Sequence, residues 1–144
     1  MKKLVFFACI LCLCTSFRYK ADDSIVGTWI NSKGQVHLQI YKQDNKYYGK
    51  IIWLQSPNQP NGMPKVDKNN PDHSLRTQPI IGLVILRDFT YRDEEWTSGR
   101  IYDPESGKVY RGIMKMPDDA TLNMRGYIGI SLLGRTETWK RVTK

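Results

Sequence analysis

The stretch QVHLQIY, residues 35–41, alternates polar and apolar side chains without a break. Val36, Leu38 and Ile40 fall on one face, and Gln35, His37 and Gln39 on the other. A period of two belongs to an extended strand with one face in a core and one in water. The reading extends in both directions. SIVGTWIN precedes this strand across a Lys33-Gly34 turn. KYYGKIIWL follows it across Gln43-Asp44-Asn45, with Tyr47, Ile51 and Trp53 expected on one side. Further on, GLVILRDFTYRD, EEWTSGRIYD, KVYRGIMKM, TLNMRGYIG and LGRTETWKR are rich in β-formers and separated by turn residues. In one such turn Pro104 presets φ, Asp103 can cap, and Gly107 accepts positive φ; Pro117-Asp118-Asp119 is another. The chain therefore reads as all-β, with about eight strands. Short sequential connections favour an antiparallel meander, and closing it into a barrel removes the exposed edges.

The N-terminus reads differently. Lys2 and Lys3 precede an apolar run, LVFFACILCLC, from Leu4 to Cys14. A bilayer span needs about 20 apolar residues, so this run reads as a secretory signal peptide over residues 1–16, with cleavage as late as residue 21 as the alternative. Lipid anchoring is the weaker reading, because Leu13 stands before Cys14 where a small residue is required. The expectation is an exported protein, periplasmic or secreted, not transmembrane after signal removal, with a single domain over residues 22–144. Cys9, Cys12 and Cys14 are the three cysteines of the chain. The exported domain then has no thiol, which excludes disulfides, thiolate catalysis and cysteine-based zinc sites. The full chain carries a net charge of +8. Its basic residues are scattered and form no arm, which argues against nucleic acid; the charge reads either as spread surface charge that serves solubility or as a match to anionic lipid or glycan.

One segment breaks the strand pattern. From about Gln55 to Pro79 the chain holds Pro57, Pro60, Pro64, Pro71 and Pro79, and a strand ladder cannot use proline as a donor. Within it, VDKNNPDHSLRTQPIIG packs Asp67, Asn69, Asn70, Asp72, His73 and Arg76 together. Asp67 and Asn69 fit the first two ligand places of a calcium loop, but Asp72 stands where glycine is needed and Gln78 where glutamate is needed. Asn and Asp can instead satisfy loop backbone through Asx turns, with Asp72 capping a short turn into Leu75. Asp67, Asn70, Asp72 and Arg76 are thus candidates for a lid or rim at one mouth of the barrel, with no metal and no cofactor expected.

Catalytic signatures fail in the same way. GISLLG, residues 129–134, is not G-x-S-x-G, and His37 and His73 are isolated. No nucleophile–base set is visible, so an enzyme is the third reading. Strand parity offers a binding site instead. Trp96, Arg100 and Tyr102 are expected on one face of their strand, and Arg125 and Tyr127 on one face of theirs. Guanidinium groups beside rings suit a ligand with an apolar body and an acidic head. The plainer alternative is that these arginine stems only cover rings on the outside of the fold.

GTW at Gly27 to Trp29, GKIIWL, DKNNPDHSLRTQPIIGLVIL, WTSGRIYDPESGKVY, MRGYIG and LGRTETWKR together resemble the bacterial family DUF2147. The resemblance implies an exported protein with a lipocalin-type (calycin) barrel and no established activity. Lipocalins begin with Gly-x-Trp on the first strand, with an Arg from the last strand packed across that Trp. Gly27, Trp29 and Arg141 can take those parts here, as a structural device. The functional expectation is a barrel binding a small amphipathic or acidic ligand, or a component of the cell envelope. The competing expectation is an interaction module with a side-chain-filled barrel and no ligand.

Overall fold

A computed structural model describes residues 22–143. The expected signal peptide lies outside the described residues. Eight strands follow in sequence: β1 (Gly27–Asn31), β2 (Val36–Gln43), β3 (Lys46–Leu54), β4 (Val84–Arg92), β5 (Glu95–Asp103), β6 (Lys108–Asp118), β7 (Thr121–Tyr127) and β8 (Arg135–Arg141). Each pairs antiparallel with the next, and β8 returns to β1, so the sheet closes into a barrel. The β2–β3 hairpin turns through positive φ at Asp44 and Asn45, as a tight two-residue hairpin requires. In the β5–β6 turn Asp103 accepts from Glu105 N and Ser106 Oγ, and Gly107 sits at φ 70°.

One end of the barrel is plugged. A short 3-10 turn, Asp23–Ile25, brings Ile25 beneath Trp29, whose indole N–H donates to Ile25 O at 2.9 Å. The Arg141 guanidinium lies 4.2 Å from the Trp29 ring centroid. It donates to the carbonyls of Ser24, Val26 and Asp119 at 2.5, 3.1 and 2.6 Å. Gly27 is required here: a Cβ would stand 2.7 Å from Arg141 Nη1, and φ is +145°. The expected trio of Gly27, Trp29 and Arg141 therefore forms one closing device.

The lumen is filled by side chains. Trp29, Leu38, Ile40, Tyr47, Leu86, Phe89 and Met114 are all essentially inaccessible. Phe89 crosses the waist, and glycines face it from β5 and β6. A methyl group at Gly99 or Gly112 would overlap the Phe89 ring, and one at Gly49 would press on Leu86 at 2.8 Å. A small barrel can be filled or can hold one ligand; this one spends its waist on an aromatic ring.

Bulges on β3, β4 and β5 set which residues face inward. On β3, Leu38 pairs with Ile51 but His37 pairs with Trp53, so Ile52 is an extra residue. Trp53 is thereby turned to the outer face, where it packs on His37 at 4.5 Å between centroids. This corrects the expectation that Tyr47, Ile51 and Trp53 share one side. On β4 the extra residues lie at Arg87-Asp88, and on β5 at Thr97-Ser98, with Asp88 at φ 61° and Ser98 at φ 63°. An inserted residue reverses the alternation beyond it.

Candidate functional site

The bulge at Ser98 divides the candidate site. Trp96 points into the lumen, 2% exposed and edge-on to Tyr47. Beyond the bulge, Gly99 and Ile101 continue the inner face, while Arg100 and Tyr102 turn outward. Strand parity had put Trp96, Arg100 and Tyr102 on one face; the structure separates the tryptophan from the other two. Arg125 and Tyr127 are also on the outer face. The Arg125 guanidinium is occupied by Ser131 O, Leu132 O and Thr136 Oγ1 at 2.7, 3.0 and 2.8 Å.

The long β3–β4 segment does meet Arg100 and Tyr102. Its residues 67–78 lie against the outer face of β4–β6 and the β5–β6 turn. Two isolated bridges, Asn58–Pro64 and Val66–Pro79, stiffen it. Asp67 is fully buried beneath it and accepts from Tyr102 Oη and Asn70 Nδ2, each at 2.7 Å. Burial, together with the hydrogen bond to Asp67, holds the Tyr102 hydroxyl protonated far above the usual tyrosine range. Asn70 Oδ1 accepts from Asp72 N, and Asp72 Oδ1 accepts from Ser74 N and Oγ, which keeps the Asp72 carboxyl below its ordinary pKa. Arg76 donates to Asn70 O at 2.7 Å. Asn69 reaches across to the carbonyls of Pro104 and Glu105. The four rim candidates thus form one network, held by Asx turns, and Tyr102 is its anchor on the barrel.

That anchor can be tested directly. Tyr102→Phe leaves the buried Asp67 carboxylate one donor short, which should cost about 1–3 kcal/mol. Proteolysis within residues 66–79 should accelerate. Unchanged melting and unchanged cleavage would remove Tyr102 from this role.

Between segment and sheet lies a pocket of about 210 Å³, with Pro71, Leu75, Leu83, Val84 and Val109 as its apolar walls. Asn70, Tyr102, Arg87 and Arg100 supply its polar groups. The arginines belong to a larger array that the sequence reading missed. Arg87 pairs in register with Arg100, Arg100 with Arg111, and Arg111 with Tyr127. Three exposed guanidinium groups thus stand side by side on adjacent strands. Like charges directly opposite each other destabilise a sheet. Among the described residues no hydrogen bond or ion pair engages these three guanidinium groups. The nearby Asp88 carboxylate is taken by Lys46 and Tyr48, at 3.0 and 3.1 Å.

A second cleft, about 670 Å³, opens at the plugged end and is lined by Asp22, Asp93, Glu94, Glu95, Asp118 and Asp119. Lys115 pairs there with Glu95, and Asp118 accepts from Ala120 N. Among the described residues no group of three or more His, Asp or Glu side chains is placed to hold a metal ion. No helix among them is long and apolar enough to cross a membrane.

Comparison with known proteins agrees with this architecture. The model of the family DUF2147, described as an uncharacterized protein conserved in bacteria, matches residues 27–141. No curated protein matches. A solved structure, the protein HP1028 of Helicobacter pylori, described as belonging to the lipocalin family, superposes with a TM-score of 0.69. It is 22% identical, and the match covers 82% of each chain. At that identity the likeness concerns the fold.

Proposed function

We infer that this protein, which belongs to the DUF2147 family, is an exported lipocalin-like barrel that binds a small acidic amphiphile on its outer face rather than in its lumen. One observation carries the reading. Arg87 and Arg100, in register and with no hydrogen bond or ion pair to their guanidinium groups among the described residues, stand at an apolar pocket. A phosphate or carboxylate head would relieve their mutual repulsion and gain charge-assisted, bidentate bonds. Pro71, Leu75 and Val109 would cover a short apolar body. The volume suits a ligand smaller than the usual drug-sized occupant, which takes about 300 Å³ or more. Export rests on the basic and apolar character of residues 2–14.

Octyl phosphate and octanoate are suitable probes, with binding followed by calorimetry. Arg100→Ala should weaken binding by about 1.5–3 kcal/mol, and Arg100→Lys should recover only part, for want of the planar fork. Arg100→Ala should leave the melting point unchanged or raised, because a like-charge contact is removed. Equal affinity in parent and Arg100→Ala would refute the assignment. The filled lumen also favours a second reading, an interaction module that takes no ligand. Mass spectrometry under native conditions, on protein taken from its own source, separates the two by the presence of a retained small molecule.

A further inference from the structure

The β7–β8 connection presents an apolar tip at the open end of the barrel. Ile128, Ile130, Leu132 and Leu133 are 66%, 62%, 82% and 79% exposed. Water penalises such a cluster, and large exposed apolar patches mark interaction sites. Three carbonyls of the tip are hydrogen-bonded. Ser131 O accepts from Arg125 Nε and Gly134 N, Leu132 O from Arg125 Nη2, and Ile130 O from Leu133 N. Unpaired carbonyls would oppose entry into an apolar medium; Arg125 pairs Leu132 O and gives Ser131 O a second donor. Gly134 locks the exit, since a Cβ there would meet Gly126 O at 2.6 Å.

The charge of the molecule is arranged along the same axis. Asp22, Asp93, Glu94, Asp118 and Asp119 gather at the plugged end. At the open end stand Lys33, Lys108 and Arg135, with Arg111 and Tyr127 on the strands that lead to the tip. Asp72, Glu105 and Glu137 are exposed acids at that end, and the same β3–β4 segment adds the exposed Lys65 and Lys68 to the basic set. Apolar side chains at an end that carries Lys33, Lys108 and Arg135, opposite an end rich in carboxylates, match an anionic bilayer surface. We propose that the protein docks, open end first, on membranes containing anionic lipid by inserting the 128–133 tip to the headgroup level. The surface is independent of the pocket assigned above and does not need it.

The test uses the barrel from Asp22 onward, which holds all the strands and core residues described above and has no cysteine of its own. Leu132→Cys and, at the opposite pole, Asp44→Cys each carry an environment-sensitive fluorophore. Vesicles of phosphatidylglycerol with phosphatidylethanolamine should shift the probe at 132 to the blue and leave that at 44 unchanged. Binding should fall with added salt and be absent on phosphatidylcholine. Leu132→Asp with Leu133→Asp should lower vesicle affinity at least about tenfold with an unchanged melting point, since both side chains are exposed. No shift at 132, or equal shifts at both sites, overturns the proposal. So does a vesicle-independent dimer that the double substitution abolishes, which would make a second copy of this chain the occupant.

Discussion

Replacing Trp29 by alanine should cost about 3–5 kcal/mol and unfold much of the population, because total domain stability is only about 5–15 kcal/mol. The indole is wholly buried and is the surface on which the plug of the barrel is assembled. Ile25 lies under it, Arg141 lies over it, and Arg141 ties the N-terminal turn to the end of β8. Arg141→Ala should cost less, about 1–3 kcal/mol, because its three carbonyl partners are near water. The double variant should cost less than the sum of the two singles, since the pair are in contact. Denaturant melts of the four proteins measure this. Strict additivity, or melts like the parent, would show that the ring and the guanidinium do not act as one device.

Gly99→Val should be nearly as damaging, at about 3 kcal/mol, the upper range for overpacking. Valine is a better strand residue than glycine, so in an empty lumen this substitution would be neutral or stabilising. Here the new side chain would occupy the volume of the Phe89 ring. A closed barrel has no free edge through which the strands can relax. Gly112→Val should behave alike, since its Cβ also meets Phe89. Phe89→Ala alone should cost about 3–5 kcal/mol, and combining it with Gly99→Val should restore part of the loss. A Gly99→Val protein that melts at or above the parent would mean that the waist is open.

The residues that close the barrel could be read from the chain because they lie in regular segments. GTW and TWKR keep their alternation from end to end, so Trp29 and Arg141 meet as expected. The site could not be read in the same way. Parity along EWTSGRIYD assumes no inserted residue, but Ser98 takes positive φ and reverses the face. Serine carries no mark of this; the glycine after it was the one local hint of a bulge. Ile52 hid the outward turn of Trp53 for the same reason. Asp67 read as a turn former, whereas its partner Tyr102 lies 35 residues away and makes it a buried anchor. Arg87 and Arg111 were passed over because each is a single charge in its own strand. Only the pairing of β4, β5 and β6 brings them beside Arg100.

A ligand held outside a filled barrel is tested most directly by an amide and methyl NMR titration with octyl phosphate. Shifts should concentrate at Asn70, Leu75, Arg87, Arg100, Tyr102 and Val109, and leave Leu38, Leu86 and Met114 in place. Shifts centred on Leu86, Met114 and the Phe89 ring, with the outer arginines silent, would put the ligand in the lumen and contradict it.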